Sequence, residues 1–180
     1  MVYVFLAEGF EEVEALAQVD VLRRAGAQVK TVGVTGREVT SAHKITVLAD
    51  TTVDRITLGD DLDMIVLPGG MPGTTNLEAS SEVQKAIDYC AAKGKFVAAI
   101  CAAPMILGHK GLLSGRKATC FPGFEKDLKG AEITGLPAVT DGKFITGKGA
   151  GAAFDFAFEL VTALYGRNKA DQLASNMQYR

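Results

Sequence analysis

The sequence predicts a three-layer α/β sandwich built around a mostly parallel sheet. Three segments contain apolar runs that are long enough for strands and too short for helices: Val2–Leu6, 61–67 and Phe96–Ile100. Strands that are buried on both faces of a parallel sheet have continuous apolar runs of this kind. Longer stretches with helical periodicity lie between them, and such an alternation of strand and helix patterns is typical of a parallel α/β fold.

The first elements predict a βαβ unit. Val2–Leu6 is the first strand, and a helix is expected over Glu12–Ala25, because Gly26 follows as a C-cap and two arginines occupy the last turn. Residues 27–34 supply the second strand, which implies a right-handed crossover between two parallel strands. Residues 36–50 are less regular, and their short apolar segments predict an added hairpin.

The middle of the chain repeats the alternation of strand and helix. The strand over 61–67 ends in a glycine-rich loop over 68–73, and residues 81–93 have the apolar face of an amphipathic helix. The strand Phe96–Ile100 is followed by a second helix pattern. Pro104 falls in the first turn of that helix, where a missing N–H costs little.

The last third of the chain predicts an edge hairpin and two helices. The expected strands are 117–120, 138–140 and 143–146. Asp141-Gly142 separates the last two strands and is a strong hairpin signal. A glycine-rich segment then leads into a helix that ends at Gly166 and has an apolar stripe made of Phe154, Ala157, Phe158, Val161 and Leu164. Residues 168–177 predict a final short helix.

Length, charge and cysteine content exclude several classes of protein. At 180 residues, the chain fits a single domain over 1–180 with a sizeable core. Its net charge of −2 gives no evident surface for nucleic acid. The N-terminal apolar run is too short for a signal peptide or a membrane span. Three cysteines do not make a disulfide framework, so we expect a cytoplasmic protein with no membrane partner.

Cys101 lies where the strand Phe96–Ile100 gives way to a helix. A residue at such a bend stands at the carboxyl edge of the sheet, with helix amides directed at it. We expect the helix dipole to acidify its thiol and make it nucleophilic. The predicted geometry is that of a nucleophile elbow with sulfur in place of the serine oxygen. The competing interpretation is a buried cysteine that acts as a small hydrophobic side chain.

Glu14 is the candidate acid and base. Positions 14, 18, 21 and 25 share one helix face, on which Val21 and Ala25 point inward. The Glu14 carboxyl would therefore face the protein and have a raised pKa. In its protonated form it could hydrogen-bond a thiolate and act as general acid and base. Glu11 and Glu12, in the same first turn, are interpreted only as charges that complement the helix dipole.

Backbone amides near Cys101 predict an oxyanion hole. Gly69 and Gly70 have no side chains, so the N–H groups of their loop can point into the site. The N–H of Gly70, together with that of Ala102, could then bind an oxyanion. The alternative is a glycine turn that serves only tight packing. Ligands of an open parallel sheet bind outside the carboxyl ends of its strands, which is where these loops should meet.

The other reactive side chains carry weaker signals. Cys90 is interpreted as a core residue and Cys120 as a structural one, although Cys120 could also lie near Cys101 as a resolving thiol. His43 lies in the irregular segment. His109 lies about two helical turns from Cys101, too far to act as its base. Neither the histidines nor the cysteines have metal-ligand spacing, so no cofactor and no metal are expected.

Four segments together resemble the ThiJ/PfpI superfamily, in the YajL-like branch related to the parkinsonism-associated deglycase. Along nearly the whole chain they are 7–14 (AEGFEEVE), 66–70 (VLPGG), 98–104 (AAICAAP) and 148–151 (KGAG). The resemblance implies a flavodoxin-like domain, similar to that of class I glutamine amidotransferases, and a homodimer. It also implies that Cys101 is reactive and easily oxidised and that Glu14 hydrogen-bonds it. The amides of Gly70 and Ala102 would face the site.

The chain departs from many of these relatives beside the site. Phe121 stands where many of them carry a histidine. This argues against a Cys-His peptidase and an amidotransferase triad, and it leaves Glu14 as the strong acid/base candidate. Ala150 stands where the parkinsonism-associated protein has a proline. The candidate pocket residues around Cys101 are Gly69, Cys120, Phe121 and Ala150.

The resemblance implies a cofactor-free enzyme that converts methylglyoxal or glyoxal to the hydroxy acid, with repair of early glycation adducts as a further ascribed activity. Cys101 would add to the aldehyde as a hemithioacetal, and Glu14 would move the proton needed for isomerisation and hydrolysis. The first alternative is a redox sensor or stress chaperone, in which Cys101 is oxidised to a sulfinate held by Glu14. The second is a cysteine peptidase, which would need a base from a neighbouring subunit.

Overall fold

Helices and strands alternate along the chain in the computed structural model, which describes residues 1–179. The helices are α1 (Glu12–Ala25), α2 (Gly73–Ala79), α3 (Ser81–Ala92), α4 (Pro104–His109), α5 (Ala153–Tyr165) and α6 (Arg167–Asn176). The strands are β1 (Val2–Leu6), β2 (Val29–Gly33), β3 (Glu38–Thr40), β4 (Thr46–Leu48), β5 (Thr51–Thr52), β6 (Met64–Leu67), β7 (Phe96–Ile100), β8 (Lys117–Ala118), β9 (Glu132–Ile133), β10 (Ala138–Asp141) and β11 (Phe144–Gly147).

A seven-stranded sheet organises the molecule. Its order is β10-β11-β7-β6-β1-β2-β5, and each neighbouring pair is parallel except the edge hairpin of β10 and β11. The turn of this hairpin is Gly142-Lys143, one residue later than the predicted Asp141-Gly142, because Asp141 still pairs with Phe144; Gly142 has a φ of +61°. β1, β6 and β7 are side by side in the sheet. The loops that follow them therefore open at the same carboxyl edge.

Helices cover both faces of this sheet. Side chains alternate between the two faces of a strand, so Val4 and Leu6 of β1 pack with α1, α5 and α6. Tyr3 and Phe5 of the same strand pack with α3 and α4 on the other face. This arrangement confirms the three-layer sandwich. No helix within residues 1–179 has the length and apolar character needed to cross a membrane.

The first helix and the added hairpin match their predictions. α1 ends at Gly26, which adopts a φ of +95° as a left-handed C-cap. The helix face that carries Glu14 is buried along its whole length, together with Gln18, Val21 and Ala25. β3 and β4 pair antiparallel as a separate hairpin within the segment 36–50.

Some elements depend on tertiary contacts and were not predicted. α2 lies mostly in a stretch for which the sequence predicts no element, and its Gly-Thr-Thr-Asn start is poor in helix formers. Packing compensates, because Leu77 is fully buried and Gly73 approaches Phe10 so closely that a Cβ there would lie 2.6 Å from the Phe10 nitrogen. β5 and β9 have two residues each, too few for a periodic signal.

Two predicted details are wrong. The strand expected over 117–120 is only Lys117–Ala118, and it pairs with β9 outside the main sheet. Phe154 does not belong to the buried stripe of α5, because it is 40% exposed and packs against Tyr179 with ring centroids 6.0 Å apart. Phe156, two residues later, is the phenylalanine of the first turn that enters the core.

Candidate active site

Cys101 lies on a strained bend between β7 and α4. Its φ is +65°, a left-handed value that residues other than glycine rarely adopt. Backbone hydrogen bonds hold the bend in place: Cys101 N–H donates to the Gly147 oxygen at 2.9 Å, and Phe121 N–H donates to the Cys101 oxygen at 2.8 Å. Such strain costs about 1–3 kcal/mol and concentrates at functional sites. The backbone thus has the elbow geometry that the sequence predicts.

The Glu14 carboxyl lies against Cys101. Glu14 is 1% exposed, and its Oε2 accepts a hydrogen bond from Gly69 N–H at 2.9 Å. The carboxyl also forms a hydrogen bond with the Cys101 thiol. The buried Oε1 has no hydrogen-bond partner of good geometry among residues 1–179. One oxygen is therefore fixed by the backbone, and the other is available to the sulfur.

The Glu14 carboxyl binds its proton more tightly than an exposed glutamate does. Burial raises the pKa of Glu14 to about 7, although hydrogen bonds from Cys101 and Gly69 oppose the shift. This confirms the raised pKa expected from its inward position. Near neutral pH the carboxyl is therefore present in both protonation states, which suits a group that must give and take a proton.

The predicted acidification of Cys101 is wrong. Burial and the negative charge of Glu14 raise the pKa of Cys101 to about 12, and the N–H groups of Ala102 and Gly70 only partly offset this. The dipole of α4 cannot reverse the shift, because that helix spans six residues and starts only at Pro104.

Cys101 and Glu14 must therefore be treated as one titrating pair. When the carboxyl holds the proton, it no longer repels a thiolate and can donate a hydrogen bond to it. The backbone N–H groups of Gly70 and Ala102 also favour the thiolate. The nucleophilic state is thus the one in which Glu14 is protonated and Cys101 is a thiolate.

The amides of Gly70 and Ala102 contact the Cys101 sulfur. The sequence predicts them as an oxyanion hole, and the structure places them where they can also stabilise the thiolate itself. Gly70 has a φ of +89°, and a Cβ there would lie 2.4 Å from the Glu11 nitrogen. Both facts require glycine at this position.

An open apolar pocket adjoins the elbow. Phe121, Gly149 and Ala150 contribute to its lining, and its volume is about 500 Å³. Phe121 joins the pocket to the elbow through its hydrogen bond to the Cys101 carbonyl. Of the candidate pocket residues, Phe121 and Ala150 therefore lie along this cavity. Gly69 lies between Glu14 and Cys101 instead.

Cys120 packs away from this pocket. It is 4% exposed and belongs to the core layer beneath α3 and α4, whereas Cys101 packs against the opposite layer. Burial raises the pKa of Cys120 to about 11 and that of Cys90 to about 12. This packing supports the structural interpretation of both residues, and the half-buried Cys101 is the accessible thiol.

The histidines pair with carboxylates rather than with Cys101. His109 lies at the end of α4 as predicted, with Nδ1 2.6 Å from Glu78 Oε1. His43 Nδ1 lies 2.9 Å from Glu12 Oε1 and 3.5 Å from Glu11 Oε2. Sequence spacing missed this second cluster, because its members come from a hairpin turn and a helix start that only the fold brings together.

Comparison with known proteins identifies the family. A sequence model of the DJ-1/PfpI family matches residues 1–163. The chain belongs to this family. The resemblance to the ThiJ/PfpI superfamily, drawn from four motifs, is thereby confirmed.

Named relatives match nearly the whole chain. Protein dj-1beta of Drosophila melanogaster is 35% identical over 97% of this chain and 94% of its own length. A protein of Pyrococcus abyssi named a deglycase is 31% identical over 91% of this chain and 98% of its own length. DJ-1 homolog A of Arabidopsis thaliana is 37% identical, and this chain spans only 45% of that protein's length.

Solved structures of the family share the fold. A cysteine-to-alanine mutant of a DJ-1 superfamily protein from Salmonella typhimurium has a TM-score of 0.93 at 37% identity, covering 99% of this chain and 98% of that one. Oxidized Toxoplasma gondii DJ-1 has a TM-score of 0.94 at 33% identity, and the match covers 99% of this chain and 97% of that one. These similarities confirm the flavodoxin-like expectation for this DJ-1/PfpI protein.

Proposed function

We propose that this DJ-1/PfpI protein is a cofactor-independent enzyme that converts methylglyoxal or a related small dicarbonyl to the hydroxy acid. The observation that carries the proposal is the hydrogen-bonded pair of Cys101 and Glu14 on a strained elbow. A nucleophile beside an acid whose pKa is about 7 can add to a carbonyl and then move protons near neutral pH. The relative named a deglycase supports early glycation adducts as a further substrate class.

The first step is attack of the Cys101 thiolate on the aldehyde carbon. A carbon–sulfur bond forms, the carbonyl electron pair moves to oxygen, and that oxygen takes the proton from Glu14. The product is a neutral hemithioacetal beside an ionised Glu14. The amides of Gly70 and Ala102 stabilise the thiolate before attack, and they are in place to donate to negative charge on the neighbouring oxygen.

The second step moves the substrate hydrogen without an external redox partner. Ionised Glu14 removes the hydrogen of the former aldehyde carbon as a proton, which leaves an enediolate. Return of a proton to the adjacent carbon produces a thioester of the hydroxy acid. Water then adds to the thioester carbonyl, the carbon–sulfur bond breaks, and Cys101 is regenerated. One dicarbonyl and one water thus become one hydroxy acid.

A redox-sensing function is the second candidate, and the same amides favour it. Peroxide would transfer one oxygen to the Cys101 thiolate and leave as water, and a second peroxide would complete the sulfinate. A protonated Glu14 and the N–H groups of Gly70 and Ala102 would then be donors to the new oxygens. The oxidized Toxoplasma gondii relative is consistent with this use of the fold. A cysteine peptidase has less support, because both histidines pair with carboxylates.

We further propose a single-domain protein that acts as a cytoplasmic homodimer, as the family resemblance implies. All three cysteines are free, which suits a reducing compartment. Sedimentation of the purified protein would test the dimer directly. A monomer at all accessible concentrations would contradict it.

The enzyme proposal is tested by measuring lactate formed from methylglyoxal without glutathione or added metal. We expect turnover by the wild type, none by Cys101→Ser, and nearly full turnover by Cys90→Ala, which removes a cysteine elsewhere. An inactive wild type whose Cys101 is still selectively oxidised by peroxide would overturn the enzyme and leave the sensor. Peptide mass spectrometry would identify the oxidised residue.

A further inference from the structure

Three side chains with metal-binding groups converge near the start of α1, outside the Cys101 and Glu14 pair. His43 Nδ1 is 2.9 Å from Glu12 Oε1 and 3.5 Å from Glu11 Oε2. One possible ligand atom from each residue lies within 4.8 Å of the other two. Atoms spaced in this way can be reached by one ion, because a metal about 2 Å from each of them would lie between them.

Backbone hydrogen bonds hold His43 over the helix start. Its hairpin turn follows β3, and Thr40 at the end of that strand accepts from Gly9 N–H at 2.8 Å. Within the turn, Ala42 N–H donates to the Phe10 oxygen at 2.8 Å. Lys44 closes the turn at a φ of +67°. The approach of His43 to α1 is therefore set by the backbone and not by its own side-chain contacts.

Glu12 supplies a buried carboxylate, one oxygen of which is not hydrogen-bonded. Glu12 is 8% exposed, and its Oε2 has no hydrogen-bond partner of good geometry among residues 1–179. The N-terminal end of α1 favours negatively charged carboxylates. A buried carboxylate with an unsatisfied oxygen is stabilised by a cation.

The second histidine of the chain provides an internal comparison. His109 also contacts two carboxylates, but Glu78 lies at Nδ1 and Asp127 at Nε2, 2.6 Å and 3.4 Å away. The imidazole ring therefore lies between the two acids. At His43, both acids lie at the same ring nitrogen. Of the two histidines, only His43 has two carboxylate oxygens and one ring nitrogen close enough together for a single ion to contact all three.

We propose that Glu11, Glu12 and His43 form a binding site for a divalent transition-metal ion such as Zn²⁺. One imidazole nitrogen with two carboxylate oxygens suits zinc and its first-row neighbours better than Mg²⁺ or Ca²⁺, which prefer oxygen ligands alone. Three protein ligands leave a coordination position for water or another small ligand. Binding requires His43 to be neutral, so the metal replaces the proton that joins His43 to the acids.

The proposed site lies close to the Cys101 and Glu14 pair. Glu11 N–H donates to the Gly69 oxygen at 2.9 Å, and Gly69 N–H donates to Glu14. The proposed metal site is therefore linked to Glu14 through the backbone of Gly69, and no step of the proposed reaction needs the metal.

The test is a calorimetric titration of the intact protein with Zn²⁺, in a Cys101→Ser background that removes the accessible thiol as a competing ligand. We expect saturable binding of one ion. Adding His43→Ala or Glu12→Gln should weaken it by at least about tenfold. His109→Ala is the matched control and should leave the affinity unchanged.

The outcome can also overturn the proposal. The site is excluded if the Cys101→Ser protein shows no saturable binding, or if His43→Ala binds Zn²⁺ as tightly as its parent. Equal weakening by His109→Ala would likewise exclude it. His43 is 68% exposed in its side chain, so its replacement should leave the fold intact, and circular dichroism of each variant checks this.

Discussion

The Glu14 carboxyl and the Cys101 side chain meet over Gly69, where an added Cβ would lie 2.5 Å from Glu14 Oε2 and 2.6 Å from Cys101 Cβ. In the wild type both neighbours are held in place. Glu14 is held within a buried helix face, and Cys101 is fixed by backbone hydrogen bonds on both sides of its bend. The spacing of acid and nucleophile is therefore set by the absence of a side chain between them.

Gly69→Ala should separate this pair without unfolding the protein. Displacement of a reacting group by about 1 Å can cost about 10²-fold in rate, so we expect methylglyoxal turnover to fall by that order. Gly36→Ala is the control, because a Cβ at Gly36 meets nothing within 4 Å. If Gly69→Ala keeps wild-type turnover, close contact of Glu14 with Cys101 is not required.

The left-handed backbone of Cys101 predicts that glycine at this position makes the protein more stable than alanine does. Cys101→Gly should have a free energy of unfolding about 1 kcal/mol higher than that of Cys101→Ala, because only glycine adopts a φ near +65° without strain. Urea denaturation of the two variants measures the difference. Since both lack the sulfur, equal stabilities would show that the bend is not strained.

The raised pKa of Glu14 predicts a particular dependence of stability on pH. Between an unfolded pKa of about 4.5 and a folded pKa of about 7, the folded chain keeps a proton that the unfolded chain has lost. The wild type should therefore lose stability as pH rises through this range, by an amount on the order of 3 kcal/mol.

Glu14→Gln isolates that contribution, because the other titrating groups are the same in both proteins. Urea denaturation at about pH 5 and about pH 8 gives the free energy of unfolding of each protein. The value for Glu14→Gln, relative to that of the wild type, should increase as pH rises. A constant difference between the two proteins would mean that Glu14 has an ordinary pKa.

Peroxide should oxidise Cys101 and spare the other two cysteines. Burial excludes peroxide from Cys90 and Cys120, whereas Cys101 is half-buried and the N–H groups of Gly70 and Ala102 favour its thiolate. Peptide mass spectrometry after brief exposure measures the three residues in one sample. Oxidation of Cys120 at a comparable rate would contradict the core position assigned to it.

The sequence predicted those parts of the site that rest on regular geometry. Glu14 was placed by helical periodicity, since one rigid helix face fixes which side chains point inward. Cys101 was placed by the abrupt end of an apolar strand. Both inferences need only local structure and the general rule that sites open at the carboxyl edge of a parallel sheet.

What the sequence missed depends on contacts between distant segments. The pKa of Cys101 is set by burial and by the charge of Glu14, and neither can be judged from the residues next to it. Glu11, Glu12 and His43 form a cluster only because the turn after β3 packs against the start of α1, and these two segments are distant in the sequence. The helix α2 is stabilised by the approach of Gly73 to Phe10 rather than by its own propensity.

The central claim is that Glu14 and Cys101 act as a catalytic pair, and the initial rate of lactate formation from methylglyoxal by Glu14→Gln tests it most directly. We predict a rate at least about 10²-fold below wild type, with Cys101 still alkylated by iodoacetamide. Asp20→Asn, which removes an exposed acid from the same helix, should keep the wild-type rate. A Glu14→Gln protein that turns over methylglyoxal like the wild type would contradict the account.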